Sequence, residues 1–183
     1  MSNLRNLAPW ALFSIGCAIA DWRVAAPSAL AVCVANAIAR RQAGETADEM
    51  AVAGMVFFGA VTILSGADPT SPVRDYLPAL TAAAIGAAML VSVVRGQPFT
   101  LPFARRSTPP AIWDDPRFVQ ANAIISMVWA ISVLATAAAL ALLHATAPHA
   151  VTAALAVQVA GFVVPMRFTK IYRGQLRARF AAA

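Results

Sequence analysis

Six long apolar stretches most constrain what this chain of 183 residues can fold into. They cover residues 7–20, 24–39, 47–66, 76–94, 118–143 and 150–168. Their alanine, leucine and valine residues do not alternate with polar ones, so each stretch predicts a helix. Hydrophobic residues make up 60% of the chain, against roughly 45–50% in soluble domains, so the surplus must face lipid. The sequence therefore predicts an all-α integral membrane helical bundle of about six short helices.

The first two stretches are too short for a simple assignment. At a rise of ~1.5 Å per residue they are about 21 and 24 Å long, against a hydrocarbon core of roughly 30 Å. Only Asp21, Trp22 and Arg23 separate them, so they predict either two thin spans or one re-entrant hairpin. A third interpretation is a signal peptide cleaved after Ala20, because the apolar run ends in an Ala-Ile-Ala pattern.

Two helix starts carry polar signals. The Thr-Ala-Asp-Glu pattern at residues 46–49 predicts a capping box at the third helix. In that motif the Thr46 oxygen and the Glu49 carboxylate each accept a free backbone N–H. Asp115 followed by Pro116 predicts an N-cap at the start of the fifth helix.

Basic residues are distributed unevenly between the two sides that six alternating spans create. Twelve of the 14 lysine and arginine residues fall on the side that holds both termini, and Arg23 and Arg74 fall on the other. Basic loops mark the cytoplasmic side, so we expect both termini in the cytoplasm. The preference for arginine over lysine and the abundant alanine are compatible with a GC-rich bacterial genome, and we expect the bacterial inner membrane. The positive charges behind the net charge of +6 are explained by their position on the cytoplasmic side. We therefore expect no nucleic-acid partner.

The longest polar interruption, residues 95–115, is here called the basic loop. We expect Phe99 and Phe103 to anchor it in the membrane interface, while Pro98 and Pro102 prevent a regular helix. Three arginines are expected at the level of the lipid phosphates: Arg95, Arg105 and Arg106. The loop is therefore predicted to dock to lipid or to a cytoplasmic partner.

The C-terminal residues 169–183 predict a tail that is distinct from the transmembrane bundle of residues 1–168. Lys170, Arg173 and Arg177 recur at three or four residues, and apolar residues fall between them. This spacing predicts a basic amphipathic helix on the anionic cytoplasmic leaflet. A disordered basic tail is the alternative, and either form would be attracted to membrane lipids.

Polar side chains within or beside the apolar stretches are candidates for an intramembrane polar site. They are Asp21, Arg23, Asn36, Asn122, Ser126 and Gln158. Asn122 and Ser126 are four residues apart and are predicted to share one helix face. Hydrogen bonding between helices is favoured over a polar pathway, and an interfacial Asp21–Arg23 pair over a buried one. Gly86 predicts a close helix contact.

No pattern typical of catalysis or cofactor binding is present. Cys17 and Cys33 lie in apolar stretches and are predicted to be small core residues. His144 and His149 have no acid or cysteine nearby, and a metal site needs three or four convergent ligands. We therefore expect no enzymatic activity, no cofactor and no metal site.

The order of several features along the chain is distinctive. They are a hairpin turn at Asp21 and Trp22, a basic exit at Arg40 and Arg41, Gly59 and Thr62 in the third helix, Trp113 in the basic loop, Asn122 and Trp129 in the next helix, and a final exit at Tyr172 and Arg173. In this layout the chain resembles the bacterial intracellular septation protein A family, or a neighbouring multipass membrane family.

This resemblance implies a non-enzymatic inner-membrane scaffold linked to envelope synthesis or cell division. Such a protein would act through contacts with other membrane proteins or with its own copies. The alternative from the polar residues is a small transporter or lipid-handling protein with a polar pathway between its helices. A dry, closely packed bundle would favour the scaffold, and a cavity lined by the polar residues would favour the alternative.

Overall fold

The computed structural model describes residues 7–46 and 48–181, with the side chains of residues 177–181 outside the description. Its α-helices are α1 Ala8–Ile19, α2 Trp22–Gln42, α3 Glu49–Ala67, α4 Leu77–Val94, α5 Leu101–Arg105, α6 Pro116–Thr146 and α7 Val151–Ala181. Short 3₁₀ turns, Pro72–Tyr76 and Pro110–Ile112, precede α4 and α6. The predicted all-α bundle is confirmed, and five of these helices are long and apolar enough to cross a membrane.

The first hairpin combines a short helix with a long one. The 12 residues of α1 extend about 18 Å, whereas the 21 residues of α2 extend about 31 Å and match the thickness of a hydrocarbon core. Trp10 and Phe13 of α1 pack on Phe57 and Phe58 of α3, with ring centroids 4.8 to 5.9 Å apart. Aromatic contacts therefore fix α1 to the bundle.

The N-cap of α6 agrees with the prediction from sequence. The Asp115 carboxylate accepts the N–H of Arg117 at 2.8 Å, and Pro116 occupies the first turn of the helix. The proline lacks an N–H that would otherwise need a partner there.

The capping box predicted at α3 is wrong. Asp48 is the N-cap, and its carboxylate accepts the N–H of Ala51 at 2.9 Å. Arg40, at the end of α2, donates to the Thr46 carbonyl at 2.6 Å and to the Asp48 carboxylate at 3.1 Å. These bonds to Arg40 hold Thr46 outside the helix, so α3 begins two residues later than the motif suggested. Ala47 lies outside the described residues.

Helices that are consecutive among α1, α2, α3, α4, α6 and α7 pack side by side, and the most extensive contact joins α4 to α6. At that contact, a Cβ added to Gly86 would lie 2.8 Å from Leu134 Cγ and 3.2 Å from its backbone nitrogen. The close contact predicted at Gly86 is confirmed. The main contacts of α7 are with α6, so α7 lies at the edge of the bundle.

The bundle has two chemically different ends. At the end here called the basic end, Arg95 Nη1 lies 3.2 Å from Glu49 Oε1, and Arg173 Nη2 donates to Ser107 Oγ at 3.3 Å. The basic loop and the C-terminal part of α7 therefore lie together. At the opposite end, the rings of Tyr76 and His144 are 4.5 Å apart.

One segment is more helical than the sequence suggested, and one predicted boundary is crossed by a continuous helix. The basic loop contains α5, whose Pro102 occupies the first turn, where a missing N–H costs no intrahelical bond. The loop therefore contains a short helix, which differs from the prediction that its prolines prevent one. Helix α7 runs without a break across the boundary predicted between residues 168 and 169, and the predicted tail is helical through residue 181, as the favoured prediction had it. The side chain of Arg177, predicted to touch lipid, lies outside the described residues.

Candidate functional site

A cavity of about 830 Å³ lies at the basic end, between α3, α4, α6 and α7 and beneath the basic loop. Its apolar wall includes Met89, Ile125, Trp129 and Phe162. Along α7 the lining extends from Phe162 to Arg173, a distance of about 16 Å at ~1.5 Å per residue. Phe162 is 54% exposed, so the cavity is open on the α7 side.

The hydroxyl of Thr100 ties the basic loop to α6. It lies 2.8 Å from Ser126 Oγ and donates to the Asn122 carbonyl at 3.0 Å, with the Asn122 side-chain oxygen 3.3 Å away. The Thr100 N–H also donates to Ser126 Oγ at 3.3 Å. Because Asn122 and Ser126 are both buried, these bonds satisfy polar groups that water does not reach.

A second contact fixes the entrance of the basic loop. Gly96, at φ +72°, ends α4 in a left-handed conformation, and Gln97 N–H donates to the Ser92 carbonyl at 2.9 Å. This is a Schellman-type helix end, which glycine adopts without steric cost. The Ser92 hydroxyl then accepts the N–H of Phe99 at 3.1 Å. The loop is therefore held over the cavity from α4 as well as from α6.

Trp129 joins three parts of the cavity wall. Its Nε1–H donates to Thr169 Oγ1 of α7 at 3.1 Å. Its ring meets Phe162 edge-on at 5.2 Å and Phe99 of the basic loop at 6.5 Å. The cavity thus has an aromatic wall, and the polar atom of the indole is already satisfied.

Charged side chains gather at the outer end of the cavity. Asp48 is paired with Arg40, and the largely buried carboxylate of Glu49 is paired with Arg95. Arg105 and Arg173 line the same end. The arrangement combines an apolar chamber with a few charged groups at its rim, as is typical of small-molecule sites.

The candidate pair Asp21 and Arg23 lies outside this cavity. The Asp21 carboxylate caps α2, accepting the Arg23 N–H at 2.8 Å and its Nε–H at 3.1 Å. These two hydrogen bonds, with a smaller contribution from Arg74, hold the pKa of Asp21 below its ordinary value. Both side chains are exposed, at 43% and 55% respectively. The pair is accounted for as a helix cap at the end opposite the basic loop.

The other candidate polar residues are dispersed, except for one pair. Asn122 and Ser126 share a face and meet through Thr100, which confirms their predicted placement. Asn36 lines a separate cavity of about 340 Å³ near Arg40. Gln158 is exposed on α7, and its amide makes only a long contact of 3.5 Å to Ala154 O. The six residues therefore do not converge on one pathway.

The residues predicted to dock the basic loop also differ in placement. Phe99 and Phe103 both line the cavity. Phe99 faces Trp129, whereas Phe103 is also 36% exposed and has the Arg106 guanidinium 5.6 Å from its ring centre. Arg95 is 66% exposed beyond its contact with Glu49, and Lys170 is exposed on α7. Docking of the loop to lipid or to a partner stays a prediction, with Phe103 as its outward apolar contact.

Three functional features escaped the sequence interpretation. They are the cavity itself, the role of Thr100, and the contact of Trp129 with Thr169. A weak signal existed for Thr100, the one hydroxyl residue within the Pro-Phe-Thr-Leu-Pro-Phe segment opposite the buried Asn122 and Ser126. In the part of the chain that is described, no group of three or more potential metal ligands occurs.

Comparisons with protein-family models, curated proteins and solved structures gave no significant match. The resemblance to the septation protein A family therefore stays a prediction from the layout of the sequence.

Proposed function

We propose that this is a lipid-handling membrane protein that takes the acyl part of an amphiphile into the cavity beneath the basic loop. The observation that carries the proposal is the cavity of about 830 Å³ with its apolar wall and charged rim. Its volume falls within the roughly 300–1,000 Å³ of known small-molecule sites. Its open side along α7, a helix long and apolar enough to cross a membrane, would admit an acyl chain directly from the bilayer.

The same proposal includes a bacterial inner-membrane location with both termini in the cytoplasm. Its support is the charge asymmetry: the basic loop and the C-terminal part of α7 lie at one end of the bundle, and basic segments are retained on the cytoplasmic side. The charged rim of the cavity would then face the anionic cytoplasmic leaflet.

Cysteine labelling tests this orientation. In a variant with Cys17 and Cys33 replaced by alanine, Gln175→Cys should react with an impermeant maleimide only after the cells are opened. His149→Cys, at an exposed position between α6 and α7, should react in intact spheroplasts. The reverse pattern would contradict the proposed orientation.

The scaffold role in envelope synthesis or division is the second proposal. One observation favours it: the spanning part of α7 is only 6% buried within the protein. Val159 and Val164 are 61% and 58% exposed on this helix. Partner membrane proteins or a second copy of the chain would pack on this surface. The scaffold proposal requires no occupant in the cavity, which separates it from the first proposal.

Filling the cavity with a side chain tests the lipid-handling proposal. Val119 of α6 lines the cavity, and its neighbour Gln120 is exposed and does not. We expect Val119→Trp to retain roughly tenfold less phospholipid than the unmodified protein after detergent exchange, a loss of about 1.4 kcal/mol in binding free energy, because the indole fills space that an acyl chain would occupy. Bound lipid is counted by native mass spectrometry.

Gln120→Trp is the matched control, because it adds the same indole one residue away and outside the cavity. Lipid retention by this variant should equal that of the unmodified protein. The proposal fails if Val119→Trp, folded and monodisperse, retains as much lipid as the control.

A further inference from the structure

Within the described part of the chain, the two arginines that line the outer end of the cavity lack an acidic partner, unlike Arg40 and Arg95, whose carboxylate partners line the cavity. Arg40 and Arg95 each form an ion pair, with Asp48 at 3.1 Å and Glu49 at 3.2 Å. Among the residues that the structure describes, Arg105 and Arg173 have no carboxylate within 4 Å. Two positive charges at the outer end of the cavity are therefore not neutralised by the protein.

Arg105 is held in place without having all its donors satisfied. Its guanidinium lies 5.4 Å from the ring centre of Trp113, a cation–π contact, and Trp113 Nε1–H donates to the Thr108 carbonyl at 3.0 Å. The Nε of Arg105 is buried and has no hydrogen-bond partner within the described part of the chain. The protein itself therefore leaves one donor of Arg105 unsatisfied.

Arg173 approaches the same segment from α7. Its Nη2 donates to Ser107 Oγ at 3.3 Å, two residues beyond Arg105 in the chain. Guanidinium groups have five N–H donors in a planar fork and match the oxygen atoms of phosphate and carboxylate groups. A phosphate group has enough oxygen atoms to accept from both side chains at once.

We propose that Arg105 and Arg173 bind the phosphate of an anionic phospholipid whose acyl chains occupy the cavity. This inference rests on the proposed function and adds the chemistry of the headgroup. Lipid phosphate is the source, and not free phosphate, because both arginines line the same cavity as the apolar residues Met89 and Trp129. Charge attraction at the rim and apolar burial inside would then select lipids that carry both features.

The test compares lipids that share acyl chains and differ in the headgroup. Phosphatidylglycerol and phosphatidylcholine are offered at equal amounts to the detergent-solubilised full chain, and bound lipid is counted by native mass spectrometry. We expect the unmodified protein to prefer phosphatidylglycerol by at least tenfold. Both lipids carry a phosphate diester, so the preference comes from net charge: the choline ammonium of phosphatidylcholine is repelled by the two arginines. Arg105→Gln and Arg173→Gln should each reduce that preference about tenfold, since each removes one of the two positive charges that disfavour choline. An excess of soluble glycerol phosphate should not displace the lipid.

Matched controls are available on the same two elements. Arg106→Gln alters a neighbouring arginine that does not line the cavity, and Arg167→Gln alters an exposed arginine of α7. Both variants should keep the full preference for phosphatidylglycerol. An equal loss in Arg106→Gln and Arg105→Gln would overturn the inference, because it would indicate general attraction to a basic surface.

The possible failures are distinguishable. If both lipids bind equally and Val119→Trp removes both, the cavity binds amphiphiles but the arginines do not select the headgroup, so the inference is wrong and the proposed function stands. If Val119→Trp changes neither lipid, the proposed function itself fails. Displacement by glycerol phosphate would show that free phosphate is the ligand, which also overturns the inference.

Discussion

Replacing Gly161 by leucine is expected to separate α7 from α6 and to abolish lipid retention. A Cβ at this position would overlap Thr136 Oγ1 and would lie 3.1 Å from Thr136 Cβ. The Thr136 hydroxyl is held by its hydrogen bond to the Ser132 carbonyl at 2.9 Å, so it does not move away freely. The Ser132 hydroxyl donates to the Gly161 carbonyl at 3.0 Å, and the new side chain would break this contact as well.

The size of the effect follows from how few contacts hold α7. The main neighbour of α7 is α6. If the two helices separate at Gly161, the principal hydrogen bond that still joins them is the one between Trp129 and Thr169. Extra atoms in a packed contact cost about 1–3 kcal/mol. A leucine side chain adds several carbon atoms at this contact. We expect a loss of about 3 kcal/mol or more for Gly161→Leu and about 1–3 kcal/mol for Gly161→Ala. Unfolding by titration with sodium dodecyl sulfate in mixed micelles measures both.

Gly174 provides the control on the same helix. A Cβ at Gly174 meets no atom within 4 Å, so Gly174→Ala should leave stability unchanged or raise it by up to about 1 kcal/mol through helix propensity. Equal stability of Gly161→Ala and Gly174→Ala would show that the contact between α6 and α7 does not depend on the glycine.

The positions of the helices could be predicted from sequence because a helix that crosses a membrane needs a long run of apolar residues, and such runs are visible in the sequence. The ends of the helices could not be predicted in this way, since helical hydrogen bonding continues into the polar residues that flank each apolar run. The predicted stretch 24–39 became Trp22–Gln42, where Arg40 and Arg41 extend the helix beyond the apolar run. The predicted stretch 150–168 and the helix predicted for the tail form one helix, Val151–Ala181, because one glycine at position 174 does not end a helix.

The candidate site was predictable only where the information was local. The spacing of Asn122 and Ser126 placed them on one helix face, and both are buried there. Their partner Thr100 lies 22 and 26 residues away in sequence, in a loop whose return to α6 depends on tertiary contacts. A cavity is space that several helices leave unfilled together, and the apolar pattern of any one helix does not encode it.

Photochemical cross-linking shows most directly whether lipid occupies the cavity. The protein is placed in vesicles of phosphatidylglycerol with a diazirine in the acyl chain, irradiated, and digested for mass spectrometry. Met89 and Ile125 line the cavity and are only 7% and 5% exposed, so lipid packed around the outside of the bundle cannot reach them. Ile63 and Val94, at 74% and 78% exposed, serve as reference positions for that outer lipid.

We expect lipid adducts on Met89 and Ile125 in the unmodified protein and their disappearance in Val119→Trp, while adducts on Ile63 and Val94 persist in both. Adducts confined to Ile63, Val94 and other outward side chains, with Met89 and Ile125 unlabelled in the unmodified protein, would contradict occupation of the cavity by lipid.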